Sequence, residues 1–245
     1  MTPTLSADPA ARCTVRHVLD SRAVRMAFQP VVQLQDGSVL AYEALARFDQ
    51  EHFDSPAHAF AAAAEAGIGV ELELLALQQA LNSIDDIPPG AWLTTNLSVE
   101  ALLNRGVRAT LIAHADRNVI VEITEHSEVG DYSALREATS ELRAAGILIA
   151  VDDAGAGFAS LSHILQLHPD IIKLDIMFTR GIDTDPIRAA LIRALVAFAD
   201  EAGAMLIAEG VETPAEYDTL IELGVRLGQG YFMARPGPLP QPLWP

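Results

Sequence analysis

Residues 149–161 read I-A-V-D-D-A-G-A-G-F-A-S-L. A short apolar run of strand type ends there at two adjacent carboxylates, Asp152 and Asp153, and Gly155 and Gly157 precede the start of a helical pattern. Because side chains alternate across a strand, neighbouring aspartates converge on one point only where the chain turns, and glycine permits such a turn. Taken alone, the pair fits a loop that caps the next helix better than a metal site. The other strand ends of the chain reverse that preference.

The composition predicts a globular protein with a large core. The chain has 245 residues, of which 50% are hydrophobic, so one barrel-sized domain is as plausible as two small ones. The formal net charge of -17 opposes binding to nucleic acid polymers or anionic membranes, because no basic stripe is available to displace counterions. An anionic substrate must therefore be met by a local cation, namely Arg, Lys or a metal ion.

The sequence also predicts a cytoplasmic protein. The single cysteine, Cys13, cannot form an internal disulfide, and no charged-then-apolar secretory leader opens the sequence. The apolar stretch of residues 187–208 is interrupted by Arg193, Asp200 and Glu201, which argues against a membrane span.

The beginning of the chain predicts a helix and a hairpin. Residues 1–26 are expected to form an N-terminal extension with a helix, and residues 27–245 a single barrel domain. Residues 27–35 and 38–48 read as strands joined by an Asp-Gly turn signal. The first two strands are therefore expected to run antiparallel.

In the rest of the chain, strands alternate with helices. This rhythm is typical of parallel βαβ units, and its length predicts closure into an α/β barrel. An open doubly wound sheet is the alternative, but the glycine-rich phosphate turn that usually follows its first strand is missing. The predicted strands are residues 91–97, 119–124, 147–151, 170–174, Met205–Ala208 and 225–233. The first predicted helix between these strands ends at residue 114. The others cover residues 131–145, 160–167, Pro186–Ala202 and 214–223.

Polar residues fall at the carboxyl ends of these strands. In a barrel all of those ends open onto one face, where active sites lie. Five or six carboxylates at one mouth destabilise one another unless cations neutralise them. The residues at these ends are Glu43, Asn96, Glu122, Asp152 with Asp153, Lys173 with Asp175, and Glu209.

The ligand types indicate which cations these are. The candidates are oxygen donors, which suits Mg²⁺ or Mn²⁺ and argues against a structural zinc. One Mg²⁺ would use fewer carboxylates because it keeps several waters, so we expect two ions about 4 Å apart with Asp152 as the bridge. Two such ions are typical of phosphate ester hydrolysis.

Lys173 is the cation expected within reach of the attacking water or the phosphate. Its simpler interpretation is an ion-pair partner for Asp175 or Asp153. A Schiff-base lysine needs a lowered pKa, which an anionic neighbourhood opposes. An aldolase is therefore disfavoured.

Eight motifs, taken in order, resemble the EAL domain family of cyclic di-GMP phosphodiesterases. Together they cover about residues 28–236, and the set is specific although any one tripeptide is not. The resemblance implies a modified TIM-type (β/α)8 barrel with an antiparallel first strand. It also implies hydrolysis of one phosphodiester of cyclic di-GMP to linear pGpG with Mg²⁺ or Mn²⁺, and a homodimer. The motifs are F-Q-P from Phe28, Y-E-A-L-A-R from Tyr42, N-L-S from Asn96, E-I-T-E from Glu122, V-D-D from Val151, I-K-L-D from Ile172, A-E-G-V-E from Ala208 and Q-G-Y-F from Gln229.

The resemblance also implies roles for individual residues. Lys173 resembles the lysine that holds the catalytic water. Glu209 is a candidate general base, and attack by metal-bound hydroxide without a general base is the alternative. Glu125 resembles the glutamate that steadies the loop after Asp153, and Arg47 the arginine that meets a substrate phosphate. The implied ligands are Glu43, Asn96, Glu122 and Asp152 for one ion, and Asp152, Asp153 and Glu209 for the other. The implied substrate-binding or supporting residues are Gln29, Arg47, Asp175, Glu212 and Gln229.

The loop after Asp153 departs from the family pattern. Family members commonly carry Phe and Thr where this chain has Ala154 and Ala156. Losing the aromatic removes an apolar anchor, so we expect a looser loop and weaker coupling to a dimer interface. The sequence therefore leaves open an alternative, a catalytically weak or inactive domain that acts as a cyclic di-GMP receptor or protein-interaction adaptor.

Overall fold

The computed structural model describes residues 9–49, 51–124, 132–154 and 158–239. Glu125 and residues 155–157 lie outside these ranges, and for Asp153 and Ala154 the description covers the backbone alone. The predicted roles of Glu125 and of the Asp153 side chain, and the predicted looseness of the following loop, therefore lie outside the described residues.

Eight strands in this part of the chain close into a barrel in chain order. The first strand is antiparallel to both of its neighbours, and the remaining strands pair in parallel. The predicted modified (β/α)8 barrel is therefore confirmed. The strands are β1 (Arg25–Gln33), β2 (Val39–Arg47), β3 (Trp92–Leu97), β4 (Val119–Ile123), β5 (Leu148–Ala154), β6 (Ile171–Leu174), β7 (Met205–Ala208) and β8 (Leu227–Gly228).

Helices cover the outside of the barrel. One of them shows why the bounds of a helix could be predicted from the sequence. The helix predicted at Pro186–Ala202 has these bounds because Asp185 caps its start, proline occupies its first turn and Gly203 ends it with φ +72°. The helices are α1 (Pro9–Ser21), α2 (Pro56–Glu65), α3 (Gly69–Leu81), α4 (Val99–Leu103), α5 (Arg105–Ile112), α6 (Tyr132–Ala144), α7 (Phe158–Leu167), α8 (Ile176–Thr179), α9 (Pro186–Ala202) and α10 (Pro214–Glu222).

One helical prediction needs correction, and one short helix was missed. The single helix expected before residue 114 is two helices, because the Asn104 side chain accepts hydrogen bonds from the backbone N–H groups of Gly106 and Val107 and starts α5 anew. The short helix α8 was not predicted. It begins where Asp175 accepts a hydrogen bond from the backbone N–H of Met177 at 2.6 Å, so local capping determines both elements.

Two strand ends also differ from the prediction. The strand expected to stop at Val151 continues to Ala154, and its register to β6 shifts between these two residues. The irregularity therefore lies at the aspartate pair itself. The last strand, expected over residues 225–233, is reduced to Leu227–Gly228. The chain then turns at the barrel mouth.

Apolar side chains fill the inside of the barrel below its mouth and the layer between strands and helices. The interior cluster includes Val31, Ile120, Ile171 and Ile207. The helix α1 packs against the same region as α2 and α3 through Val15. The division of the chain at residues 26 and 27 stays a prediction. None of the helices in the described ranges has the length and apolarity to cross a bilayer.

Candidate active site

The carboxyl ends of the strands bring most of the predicted site residues together. Parallel pairing aligns Asn96 on β3 with Glu122 on β4, and antiparallel pairing aligns Gln29 on β1 with Glu43 on β2. Their side chains meet those of Asp152 on β5, Lys173 on β6 and Glu209, which follows β7. The barrel thus joins residues that are far apart in sequence because strand ends share one face.

Lys173 lies at the centre of this cluster. Its Nζ is 2.6 Å from Glu122 Oε2, 2.6 Å from Glu209 Oε1, 3.4 Å from Asp152 Oδ1 and 3.5 Å from Glu43 Oε2. The side chain is 1% exposed. Burial alone would lower the pKa of Lys173, but the surrounding carboxylates, Glu122 and Glu209 foremost, hold this pKa well above its usual range. The ammonium is therefore charged at neutral pH.

Four carboxylates around one ammonium leave an excess of negative charge. Burial raises the pKa of Glu122 well above its usual range, and the neighbouring Glu43 raises it further. Burial also raises the pKa of Glu209 to about 8, although Lys173 opposes the shift. By contrast, the pKa of Glu43 is lowered, because Lys173, Asn96 and other hydrogen-bond donors outweigh its burial. Carboxylates held this close together favour either protonation of part of the cluster or the entry of further cations.

Amide side chains orient Glu43. Asn96 Nδ2 donates to Glu43 Oε1 at 2.8 Å, and Gln229 Nε2 donates to Glu43 Oε2 at 2.7 Å. The same Gln229 nitrogen donates to Gln29 Oε1 at 3.1 Å, and Gln29 Nε2 donates to the carbonyl of Ala234 at 3.0 Å. Among the described residues, Gln229 Oε1 is a buried oxygen without a hydrogen-bond partner. An orphaned acceptor of this kind indicates a place for a donor or a cation.

The donor set fits a hard divalent cation in its chemistry and its charge. Carboxylate and amide oxygens are the ligands that Mg²⁺, Ca²⁺ and Mn²⁺ prefer, and Glu43, Asn96, Glu122, Asp152 and Glu209 supply them. Across the ranges the structure describes, no group of three or more Asp, Glu, His or Cys residues already has the spacing of a metal site. In this arrangement the carboxylates of Glu122 and Glu209 bind the ammonium of Lys173 directly.

Three other predicted residues lie outside the carboxylate cluster, although Glu212 lines the cavity beside it. Asp175 caps α8, where its carboxylate accepts a hydrogen bond from the backbone N–H of Met177. Arg47 ends β2, and its Nη1 donates to the neighbouring carbonyl of Ala46 at 2.9 Å. Glu212 lies on the loop after β7, where it accepts a hydrogen bond from Arg180 at 3.2 Å. Substrate contacts of these residues stay predictions.

A cavity of about 460 Å³ opens above the carboxylate cluster. Its wall includes Ile176, Arg180 and Tyr231, which the sequence reasoning did not select. The signal for Arg180 was present, because a cation soon after a strand end stands out in a chain of net charge -17. Tyr231 belongs to the Q-G-Y-F motif, but nothing in the sequence placed its side chain at the mouth.

Two glycines allow the loop after β7 to close against its neighbours. Gly210 has φ +65°, and a Cβ added there would lie 2.2 Å from Ile176 Cγ1. At Gly230 an added Cβ would lie 2.2 Å from the carbonyl oxygen of Val211. The backbone N–H of Val211 donates to the Gln229 carbonyl at 3.1 Å. The glycines therefore let Glu209 and Gln229 reach the same cavity by close backbone packing.

The fold and the site define an α/β barrel protein whose mouth is built from carboxylates around a buried lysine. Residues 12–236 match the family described as the EAL domain. The chain belongs to the EAL domain family, as the ordered motifs had indicated.

Several known proteins are similar to the chain. Cyclic di-GMP phosphodiesterase RocR of Pseudomonas aeruginosa is 31% identical over 237 residues, which cover 90% of this chain and 59% of RocR. The structure of BlrP1 from Klebsiella pneumoniae, solved as a calcium and cyclic di-GMP complex, has a TM-score of 0.79 to this chain at 30% sequence identity. The match covers 89% of this chain and 56% of the BlrP1 chain. An EAL domain protein from Listeria monocytogenes has a TM-score of 0.81 at 21% identity, with 93% and 94% coverage, a likeness that concerns the fold alone.

The chain is shorter than the curated relatives it matches. It spans 30% of the length of the uncharacterized protein y4lL from Sinorhizobium fredii, which is 30% identical to it, and 59% of RocR. Similarity to these relatives therefore concerns only part of their length.

Proposed function

We propose that this protein is a metal-dependent phosphodiesterase that hydrolyses one phosphodiester bond of cyclic di-GMP to linear pGpG and so lowers the level of this second messenger. The observation that supports it most is the cluster of Glu43, Glu122, Asp152 and Glu209 around the single ammonium of Lys173. Divalent cations would neutralise the excess negative charge of this partly buried cluster. Relatives named for this phosphodiesterase activity support the same reaction.

The proposed cofactors are two divalent ions, Mg²⁺ or Mn²⁺. Neighbouring EAL structures were solved as complexes of calcium or manganese with cyclic di-GMP, which supports divalent metal use here. Glu43, Asn96, Glu122 and Asp152 would hold one ion, and Asp152, Asp153 and Glu209 the other. When bound, the ions lower the pKa of a water and neutralise phosphoryl oxygens.

The residues of the chain then position the reacting groups. Lys173 donates hydrogen bonds from its Nζ and orients the attacking water, while Asn96 and Gln229 hold Glu43 in place. Glu209, whose Oε1 lies 2.6 Å from the Nζ of Lys173, is the candidate proton acceptor. One bond forms between the water oxygen and phosphorus, one phosphorus–oxygen ester bond breaks, and the leaving oxygen takes a proton.

A receptor or adaptor role is the second candidate. It is favoured by the direct ion pairs of Lys173 with Glu122 and Glu209 at 2.6 Å each, and by Ala154 in the loop that carries an aromatic in other family members. A cytoplasmic homodimer is proposed with either role.

A chromatographic assay tests the proposal. The purified protein is incubated with cyclic di-GMP and Mg²⁺ or Mn²⁺, with and without EDTA, and pGpG is quantified. We expect product with metal and none with EDTA. The variant Glu43→Gln should lose activity by at least about 100-fold because a charged ligand is lost. The control Glu141→Gln changes a 50% exposed carboxylate paired with Arg108 on the outer surface and should retain activity. Binding of cyclic di-GMP without pGpG formation would select the receptor role instead.

A further inference from the structure

The cavity at the barrel mouth contains two cationic side chains among its described lining residues, Lys173 and Arg180. Lys173 is 1% exposed and lies within 4 Å of four carboxylates, so its charge is already neutralised. The Arg180 side chain is 62% exposed. In a chain of net charge -17, Arg180 is therefore the cation of this wall that an anion arriving from solvent can reach.

The backbone on both sides of Arg180 is held in place. On one side the hydroxyl of Thr179 donates to the carbonyl of Glu209, and Thr179 is fully buried. On the other side the backbone N–H of Gly181 donates to Glu216 Oε1 at 2.9 Å. Arg180 thus projects from a rigid support that is tied to the loop carrying the site residue Glu209.

The same support holds Glu212, the present partner of Arg180. Glu216 Oε2 accepts from the backbone N–H of Glu212 at 2.9 Å, and Glu216 is 4% exposed. One buried carboxylate therefore joins the two loops whose side chains form the pair, because its two oxygens bind Gly181 and Glu212. The pKa of Glu216 is lowered, since these backbone donors outweigh its burial.

The ion pair itself is weak. Arg180 Nη2 lies 3.2 Å from Glu212 Oε1, and the two side chains are 62% and 41% exposed. Exposed pairs of this kind contribute little to stability because water screens them. A phosphate can replace the carboxylate as the partner of a guanidinium, and it can accept two parallel hydrogen bonds.

We infer that Arg180 is a substrate-binding residue that exchanges its contact with Glu212 for a phosphodiester group of the cyclic dinucleotide. The inference rests on the proposed function for the identity of the ligand. In this scheme Arg180 increases the affinity for the substrate and takes no part in the chemical step. It lies on the rim of the cavity, whereas the carboxylates around Lys173 lie inside it.

Kinetics and binding of Arg180→Gln test the inference. Arg226→Gln is the matched control, since Arg226 forms a similarly exposed pair with Asp200 at 3.1 Å at the amino ends of the strands. For Arg180→Gln we expect the KM and the Kd for cyclic di-GMP to rise about 10- to 100-fold, the range of a lost charged hydrogen bond. The kcat should change less than about twofold. Arg180→Lys should be intermediate, because it keeps the charge and loses the bidentate geometry.

Ionic strength identifies the group that Arg180 contacts. If it binds a phosphodiester, added salt should weaken binding to the wild type more than binding to Arg180→Gln, because salt screens the lost attraction. Equal salt dependence would assign the contact to an uncharged part of the ligand and would overturn the inference. So would a KM and Kd equal to those of Arg226→Gln.

The outcomes separate the two proposals. Wild-type hydrolysis with an unaffected Arg180→Gln variant refutes the role of Arg180 and leaves the phosphodiesterase intact. Wild-type binding without hydrolysis refutes the phosphodiesterase, and the Kd values still decide the role of Arg180. An absence of any binding by the wild type overturns both. Equal melting temperatures of the variants and the wild type exclude misfolding as the cause of a weaker affinity.

Discussion

The Nζ of Lys173 lies 2.6 Å from Oε2 of Glu122, and both side chains are 1% exposed. Removing one partner of such a buried pair leaves an uncompensated charge, which typically costs about 3–5 kcal/mol. The chain has 16 Lys and Arg residues, and Lys173 is the single lysine among them. The one compact, strongly hydrated ammonium of the sequence is thus kept for the interior of the site, and the surface uses arginine.

Amine labelling tests this burial. We expect an N-hydroxysuccinimide ester to modify the native protein at its amino terminus alone and the urea-unfolded protein at a second position, because the buried Lys173 amine is out of reach of the reagent. Intact mass and peptide mapping read the result. Lys173→Arg is the control and should be labelled once in both states. Equally fast labelling of Lys173 in the native protein would contradict the buried cluster.

The stability of the metal-free protein should fall as the pH rises towards and through about 8. The pKa of Glu209 is raised to about 8 in the folded protein, so between its ordinary pKa and this value the folded state binds more protons than the unfolded state. Its contribution is therefore present at low pH and is lost as the carboxyl ionises. Glu122, whose pKa is also raised, adds to the same trend. Urea unfolding in EDTA from pH 5.5 to 8.5 measures it.

Divalent metal should reverse this trend. Cations favour the ionised carboxylates, so Mn²⁺ at about 100 times its Kd should stabilise the folded state by about 2.7 kcal/mol, and more strongly at higher pH. Glu122→Gln should lose most of this gain, whereas the surface variant Glu141→Gln should keep it. A free energy of unfolding that Mn²⁺ leaves unchanged at pH 8 would contradict a metal site at the mouth.

The loop after β7 offers a test of close packing. Gly210 and Gly67 have similar φ values of +65° and +70°, but an added Cβ meets Ile176 at Gly210 and nothing within 4 Å at Gly67. Gly67→Ala should cost about 1–2 kcal/mol for the left-handed backbone. Gly210→Ala should cost about 1–3 kcal/mol more for overpacking.

Activity should separate these two variants further. Because Gly210 follows Glu209 directly, we expect Gly210→Ala to lower the rate of pGpG formation and Gly67→Ala to leave it unchanged. Chemical denaturation and the chromatographic assay measure both quantities. Equal stability and equal activity of the two variants would show that the contact with Ile176 imposes no constraint.

Much of the architecture could be predicted because it depends on local chemistry. The α9 helix and the β7 strand have the predicted bounds, since proline, Asp185 and Gly203 punctuate the chain in any context. Short elements were harder, because α8 is a single turn that exists where Asp175 caps it. The end of β5 was misjudged because a register shift depends on the neighbouring strand.

The sequence by itself determined the order of strands and helices, the antiparallel first strand and the position of carboxylates at strand ends. These features depend on the hydrophobic period and on turn residues, whose effects extend over only a few neighbouring residues. Only the tertiary structure decided that Lys173 pairs with Glu122 and Glu209 and that Gln229 Oε1 is buried without a partner in the described residues. It also placed Arg180 on the rim of the cavity. Barrel closure sets these distances between residues that are remote in the chain.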